Sequence, residues 1–179
     1  MTLVDAGDDH FAWLLGERSA PAGLSAPPEG VESPAVLAWL RATAADLRAA
    51  HGPGAWLIVA GDDVVGLCSY KAAPDATEIG YGVAASHRKQ GYATRAVGDL
   101  AALAARDARL GALIAETHEA NVASQRVLQH NGFAITGRRV DPQDGPLLVW
   151  TLDLARAPSP CSAHPKNSPS SPGVSPGEP

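Results

Sequence analysis

The chain is 179 residues long, 45% of them hydrophobic, and has a formal net charge of −5. Such a length allows one sizeable core, and the acidic balance argues against nucleic acid as a partner, since neutralising phosphates needs a basic surface. The sequence has no apolar run of the roughly 18 residues that cross a bilayer and no signal-peptide pattern, so we expect a cytoplasmic protein without membrane contact.

Cysteine and histidine usage predicts neither disulfides nor a metal site. Cys68 falls inside a predicted strand and Cys161 in a tail rich in Pro and Ser, and the six histidines are scattered. Neither spacing is typical of a disulfide framework or of metal ligands. The abundance of Ala, Gly, Pro and Arg suggests a bacterial source.

The N-terminal third predicts a strand, two helices and the loop between them. Met1–Asp5 predicts a short edge strand, and Asp8 or Asp9 is expected to cap a first helix. Residues 19–34 are rich in Pro, Ala, Gly and Ser, which is typical of a loop. A second helix is predicted over residues 35–50. Its apolar positions are Val36, Leu37, Trp39, Leu40 and Leu47.

Three β-rich segments follow. Residues 56–60 and 64–71 are separated by Gly-Asp-Asp and predict a hairpin. A further strand is predicted over residues 77–84, where apolar residues alternate with Gly80 and Gly82. The sheet therefore continues up to a basic, glycine-containing turn.

That turn, called the anion turn below, predicts a phosphate site. It consists of Arg88, Lys89, Gln90, Gly91, Tyr92, Ala93 and Thr94, and a helix is predicted over residues 91–106. The first N–H groups of a helix lack intrahelical partners and carry partial positive charge, so they can hold a phosphate, and Gly91 lets the backbone approach it. The spacing fits neither a P-loop nor a GxGxxG dinucleotide motif.

The remaining chain predicts three more strands, one helix and a tail. A strand over residues 113–117 is followed by a helix that Asn121 caps and that ends at Gly132. The last strands are predicted over residues 133–136 and 147–154, with a loop at 138–146. We expect one domain over residues 1–155. Residues 156–179 are expected to be disordered, because they contain almost no large apolar side chains.

Two segments resemble the hallmarks of the Gcn5-related N-acetyltransferase (GNAT) superfamily. Residues 88–93 match its pyrophosphate motif Q/R-x-x-G-x-G/A. Downstream, Asn121, Ser124, Gly132 and Phe133 match the second hallmark, in the form closest to the ribosomal-protein-alanine acetyltransferase branch (RimJ/RimL-like). The resemblance implies an α/β fold with layered α+β character: a central mixed, mostly antiparallel, twisted sheet of six to seven strands, with a splayed parallel pair and about four flanking helices.

The resemblance further implies acetyl-coenzyme A as cosubstrate, without a metal. Its pantetheine would lie between the strands over residues 77–84 and 113–117. The residues expected to bind it are Gly82, Val83, Ala84, the whole anion turn, Asn121 and Ser124.

Acetyl transfer to an amine needs a base for the amine and a proton for the leaving thiolate. Glu78, in a strand that otherwise looks buried, is the favoured base, and Glu116 is its rival. Many family members have a tyrosine acid four residues after the position of Ser124, where this chain has Leu128. We therefore expect Ser124 to donate the proton instead, directly or through water.

The sequence thus predicts an N-acetyltransferase that acts by direct attack in a ternary complex. Its acceptor would be a small-molecule amine or a peptide N-terminus, and we expect a monomer or homodimer. The alternative is a non-catalytic module that binds or senses acyl-coenzyme A. The resemblance does not choose the acceptor, because one fold serves many substrates.

Overall fold

A computed structural model describes residues 1–73 and 76–155. The described chain forms seven strands, four α-helices and one short 3₁₀ helix. In chain order these are β1 (Thr2–Asp5), α1 (Asp8–Leu14), α2 (Pro34–His51), β2 (Ala55–Ala60), β3 (Asp63–Ala73), β4 (Ala76–Val83), the 3₁₀ helix (Ala85–His87), α3 (Tyr92–Ala104), β5 (Ala112–His118), α4 (Val122–His130), β6 (Ala134–Asp141) and β7 (Gly145–Asp153).

All seven strands join one sheet in the order β1-β2-β3-β4-β5-β7-β6. Every neighbouring pair is antiparallel except β4 and β5, which are parallel. The β4–β5 connection contains α3, as a parallel pair requires a crossover. The predicted mixed sheet with one parallel pair and four helices is confirmed.

The parallel pair separates along its length. β4 and β5 are in register only at Thr77 with Leu113 and Glu78 with Ile114. Beyond these positions β4 stays paired with β3 as far as Val83, and β5 stays paired with β7 as far as His118. A gap therefore opens between the C-terminal halves of two strands that remain anchored on their outer sides.

The two faces of the sheet are covered differently. On one face, here the helix face, α3 and α4 pack on Ile79, Leu113 and Ala115 in a core centred on buried Trp150 and Leu100. On the other face, α1 and α2 cover β2 and β3. The buried residues of this second cluster include Phe11, Leu37, Leu40, Ala55, Leu57, Val64 and Leu67. Strand alternation turns Glu78 and Glu116 away from the helix face.

Three local predictions are wrong. Helix α1 begins after Gly7, whose N–H donates to His10 Nδ1 (3.2 Å), so Asp8 and Asp9 lie in the first turn and do not cap it. On α2, Trp39 is 50% exposed, because the stripe through Leu37, Leu40 and Ala44 is the one that packs.

The third wrong prediction is the loop at residues 138–146. β6 and β7 run on through most of it and pair from Ala134 with Thr151 to Asp141 with Gly145. Asp141 Oδ1 accepts the N–H groups of Gln143 and Asp144, which closes a tight turn. The segment is rich in charged and turn-forming residues, so its sequence pattern predicted a loop rather than a strand.

The predicted tail, residues 156–179, lies outside the described residues, and so does Cys161. Among the described residues, no helix combines the length and apolarity that crossing a membrane would require.

Candidate functional site

The anion turn lies at the end of the gap, between β4 and α3. Lys89 and Gly91 both have left-handed backbones, with φ of 63° and 81°. A Cβ added at Gly91 would meet no atom within 4 Å, so the glycine serves the backbone conformation and an open approach rather than internal packing. The turn needs this conformation to aim the first turn of α3 outward.

Backbone donors dominate this turn. No side chain caps α3, and its first helical bond runs from Arg95 N–H to Gly91 O (3.1 Å). The N–H groups of Tyr92, Ala93 and Thr94 precede that bond and have no intrahelical partner. They are therefore available to an anion, at the positive end of the helix dipole.

Two polar side chains of the anion turn form hydrogen bonds with nearby backbone carbonyl groups. Arg88 Nε donates to Val83 O (3.1 Å), and Gln90 Nε2 donates to Ser86 O (3.4 Å). Arg88, Lys89 and Gln90 are all exposed. The anion turn thus places two exposed cationic side chains, Arg88 and Lys89, beside the free N–H groups of α3.

The edge of β4 supplies backbone groups to the gap. Ala84 N–H points to the opposite side, where it donates to Val65 O (2.9 Å). Because strand backbone groups alternate, the N–H of Val83 faces the gap. Of the strand residues predicted to bind the cofactor, Val83 is thus the one with a donor aimed correctly, whereas Ala84 is buried and its N–H is occupied.

The second helix at the gap, α4, brings Ser124 to the edge of β4. Asn121 Oδ1 accepts the N–H of Ser124 (3.1 Å), so the predicted cap is confirmed. Ser124 Oγ lies 2.6 Å from the hydroxyl of Tyr81, in β4. Sequence reasoning missed Tyr81 as a site residue, although its alternation with buried Ile79 already placed it on the helix face.

Tyr81 is held as a neutral phenol. Burial raises its pKa, and the hydrogen bond with Ser124 opposes that rise only in part. A neutral phenol can both donate to and accept from Ser124 Oγ. The pair joins β4 to α4 on the helix face of the sheet.

The opposite face of β4 and β5, here the open face, carries Glu78, Gly80, Gly82 and Glu116. An open cavity of about 480 Å³ lies against its central part. The charged or titratable side chains that line the cavity include Lys71, Glu78, Glu116, His118, Arg139 and Asp141. The structure therefore brings the two predicted bases, Glu78 and Glu116, into one cavity.

The two carboxylates have unequal partners. Glu78 Oε2 accepts one ion-pair hydrogen bond from Lys71 Nζ (3.0 Å). Glu116 is held in a bidentate pair by Arg139, with Nε–Oε1 at 2.7 Å and Nη2–Oε2 at 2.5 Å. Both of its oxygens are occupied by the Arg139 guanidinium, so neither can contact an amine unless that pair is broken. Glu78 is the freer of the two.

Arg139 also organises the turn that borders the cavity. Its Nη1 donates to Asp141 Oδ2 (2.8 Å), and this contact, with the turn N–H groups, lowers the pKa of Asp141 to about 2. The pKa of Arg139 is raised by its bonds to Glu116 and Asp141. Glu116, Arg139 and Asp141 thus form a network of ion pairs along one side of the cavity.

Cys68 lies apart from this site. It is buried in the core, and burial raises the pKa of its thiol to about 12, which makes a thiolate nucleophile unfavourable. Within residues 1–73 and 76–155, no group of three or more His, Cys, Asp or Glu side chains is arranged to hold a metal ion.

Comparison with known proteins agrees with this geometry. Residues 4–134 match the model of the acetyltransferase (GNAT) domain family. The sequence matches no curated protein.

Several solved structures share the fold. A RimL ribosomal-protein alpha-N-acetyltransferase in complex with coenzyme A has a TM-score of 0.64 at 20% identity, covering 84% of this chain and 92% of that one. RimJ from Mycobacterium smegmatis, in complex with a coenzyme A disulfide, has a TM-score of 0.56 at 25% identity, covering 70% and 63%. An aminoglycoside acetyltransferase in complex with coenzyme A has a TM-score of 0.62 at 17% identity, covering 85% and 94%.

Proposed function

This chain belongs to the GNAT acetyltransferase domain family, and from that premise we propose that it transfers an acetyl group from acetyl-coenzyme A to a primary amine. The observation that carries the proposal is the gap between β4 and β5, which ends at the uncapped N-terminus of α3. A strand edge beside a cluster of free N–H groups suits a ligand with an amide-containing arm and a diphosphate.

The described residues fit acetyl-coenzyme A. Residues 88–94 would hold the diphosphate, and Gly82 and Val83 would line the channel for the pantetheine arm, with buried Ala84 supporting them through its hydrogen bond to β3. The thioester oxygen would accept the Val83 N–H, which faces the gap. Asn121 and Ser124 would contact the arm from α4. When bound, acetyl-coenzyme A supplies an activated acetyl group, and the chain's task is to orient it and to move protons.

The reaction we propose is direct attack in a ternary complex. The amine gives one proton to the base, and its nitrogen lone pair forms the new C–N bond. The C–S bond breaks with its electron pair on sulfur, and the thiolate takes up a proton. Cys68 is buried and holds its proton, so a covalent acetyl-cysteine route is disfavoured.

Glu78 is the proposed base. Its side chain is 22% exposed at the cavity, and its only ion-pair partner among the described residues is Lys71, whose side chain is 47% exposed. Lys71 is well solvated and can release the carboxylate at low cost, since exposed ion pairs contribute little. Glu116 would have to lose both bonds to Arg139 before taking a proton.

Ser124 is the proposed proton donor to the thiolate. Its Oγ would give its proton to the thiolate as it takes one from solvent, while the Tyr81 hydroxyl donates a hydrogen bond to Oγ and keeps its own proton, because burial raises its pKa. The pair would take the place of the single tyrosine acid that many members carry later in α4. We therefore add Tyr81 to the proposed site.

The acceptor is a primary amine, either on a small molecule or at a protein N-terminus. The similar solved structures include enzymes named for both, a ribosomal-protein alpha-N-acetyltransferase and an aminoglycoside acetyltransferase. The charged cavity on the open face suits a polar acceptor in either case.

Turnover tests the proposal against the alternative of a non-catalytic acyl-coenzyme A-binding module. Purified protein is mixed with acetyl-coenzyme A and a panel of peptides, diamines, aminoglycosides and amino-acid amides, and release of free thiol is followed. We expect release with at least one class. Tight binding of acetyl-coenzyme A without thiol release from any amine would favour the non-catalytic module.

A further inference from the structure

The loop between α1 and α2 places a carboxylate on β4 that the sequence motifs do not include. A Cβ built at Gly82 would lie 3.2 Å from Glu32 Oε2. Glycine at this position therefore leaves room for the Glu32 carboxylate on the open face. The next residue, Val83, is the one whose N–H we assign to the thioester oxygen.

The loop around Glu32 is fixed at several points. Val31 is 5% exposed in the second core cluster, and Ser33 Oγ accepts the Val36 N–H at the start of α2 (3.4 Å). Glu29 Oε1 accepts the N–H of Ser86 (3.1 Å), which joins the loop to the segment after β4. Glu32 thus lies between a buried residue and a helix cap, on a loop attached beside the anion turn.

The two oxygens of Glu32 have different surroundings. Oε1 accepts the N–H of Ser33 (2.8 Å). Oε2, the oxygen at Gly82, has no hydrogen-bond donor or cation among residues 1–73 and 76–155. Glu32 is exposed, and a carboxylate oxygen without a protein donor next to the proposed reaction centre is suited to a cationic ligand.

We propose that Glu32 is the residue that binds the ammonium group of the acceptor and holds it over Gly82, so that the enzyme selects cationic primary amines. The inference rests on the proposed acetyl transfer. Glu32 and Glu78 have separate tasks, because Gly82, beside which the Glu32 carboxylate lies, is four strand residues from Glu78, or roughly 13 Å along β4. Glu32 orients the ammonium at the thioester; the ammonium loses one proton to solvent, and Glu78, through a chain of waters, takes the second proton as the neutral nitrogen attacks.

The test compares steady-state kinetics of the wild type with Glu32→Gln. Glutamine keeps the oxygen that accepts the Ser33 N–H and removes the charge. We expect the KM for the acceptor to rise at least about tenfold, as for a lost hydrogen bond to a charged group, while kcat changes less than about threefold. The affinity for acetyl-coenzyme A should be unchanged. Glu32→Asp, which keeps the charge on a shorter arm, should recover part of the loss.

Salt and a matched variant distinguish this role from a structural one. The wild-type KM for the acceptor should rise with ionic strength, and that of Glu32→Gln should respond less, because the attracting charge is gone. Asp46→Asn makes the same charge change at an exposed position of α2 and should behave as wild type.

The outcomes are separable. Wild-type turnover with an acceptor KM that Glu32→Gln leaves unchanged overturns this inference and leaves the proposed function standing. Absence of thiol release from every amine with the wild type overturns the proposed function, and this inference with it. A rise in the acceptor KM that Asp46→Asn reproduces would show only a general charge effect and would also overturn the assignment.

Discussion

The anion turn and the open face of the sheet are built in different ways. The anion turn offers mainly backbone N–H groups, and its conformation depends on residues close in sequence, above all Gly91 at φ 81°. The open face offers side chains from β3, β4, β5, β6 and the loop before α2. A backbone site binds the part of a ligand that never varies, whereas a side-chain site can change with each acceptor.

This difference predicts separate kinetic effects for changes in the two regions. Substitutions in the anion turn should alter the affinity for acetyl-coenzyme A. Substitutions on the open face should alter the KM or kcat/KM for the acceptor. A variant that moves the wrong quantity would contradict the division.

The largest effect is expected for Glu78→Gln on the open face. Loss of a general base typically costs about 10²- to 10³-fold in rate, and the loss should be greatest at low pH, where little free amine is present. The measurement is the pH profile of kcat/KM for the acceptor. Glu116→Gln is the matched comparison, with an expected loss below about tenfold, because Arg139 already occupies that carboxylate. A larger loss for Glu116→Gln would reverse the two assignments.

Gly91→Asp should weaken acetyl-coenzyme A binding about 100-fold, or about 2.7 kcal/mol, because it adds a negative charge beside the diphosphate. Asparagine has nearly the same shape and also tolerates a left-handed backbone, so Gly91→Asn is the control for strain. Calorimetry should show a much smaller loss for asparagine. Unchanged affinity in folded Gly91→Asp protein would remove the anion turn from the cofactor site.

Ser124→Ala, in α4, should lower kcat by about 10- to 100-fold with little change in the KM for acetyl-coenzyme A. The hydroxyl matters chiefly in the transition state, and water can replace it in part. Tyr81→Phe should give a smaller loss in the same direction, because it removes only the partner of Ser124. Unchanged rates, with chemistry shown to be rate-limiting, would leave solvent as the proton donor.

The smallest effect is expected for Asp141→Asn. Asp141 has a folded-state pKa of about 2, below its ordinary value of 3.8. Its contribution to stability is therefore complete above about pH 4 and is lost as the pH falls toward 2. As the pH falls across this window, the thermal unfolding temperature of the wild type should drop slightly more than that of Asp141→Asn. The pair lies at the protein surface, with side chains 45% (Arg139) and 22% (Asp141) exposed, so solvent limits the difference. Parallel curves would show that the pair contributes nothing measurable.

Much of the fold and of the anion turn follows from local sequence. Strand alternation in β4, the cap at Asn121 and the left-handed residues Gly91 and Gly132 depend on neighbours within a few positions. Interactions at this range leave a readable spacing, which is why the strands and the flanking helices could be predicted from the residues, whereas the parallel pair was implied only by the family resemblance. Glu78 and Glu116 could also be named as candidates, with Glu78 favoured because its strand otherwise looks buried.

Tertiary structure alone decided how the candidates are partnered. Arg139 reaches Glu116 across β7 because β6 continues through a segment that predicts a loop. Tyr81 contacts Ser124 only because the fold places α4 beside β4. Glu32 reaches Gly82 only because its loop folds over the sheet. Contacts between residues far apart in the chain leave no local period in a single sequence. The backbone conformation of the anion turn therefore depends on local sequence, whereas the partners of the carboxylates depend on packing.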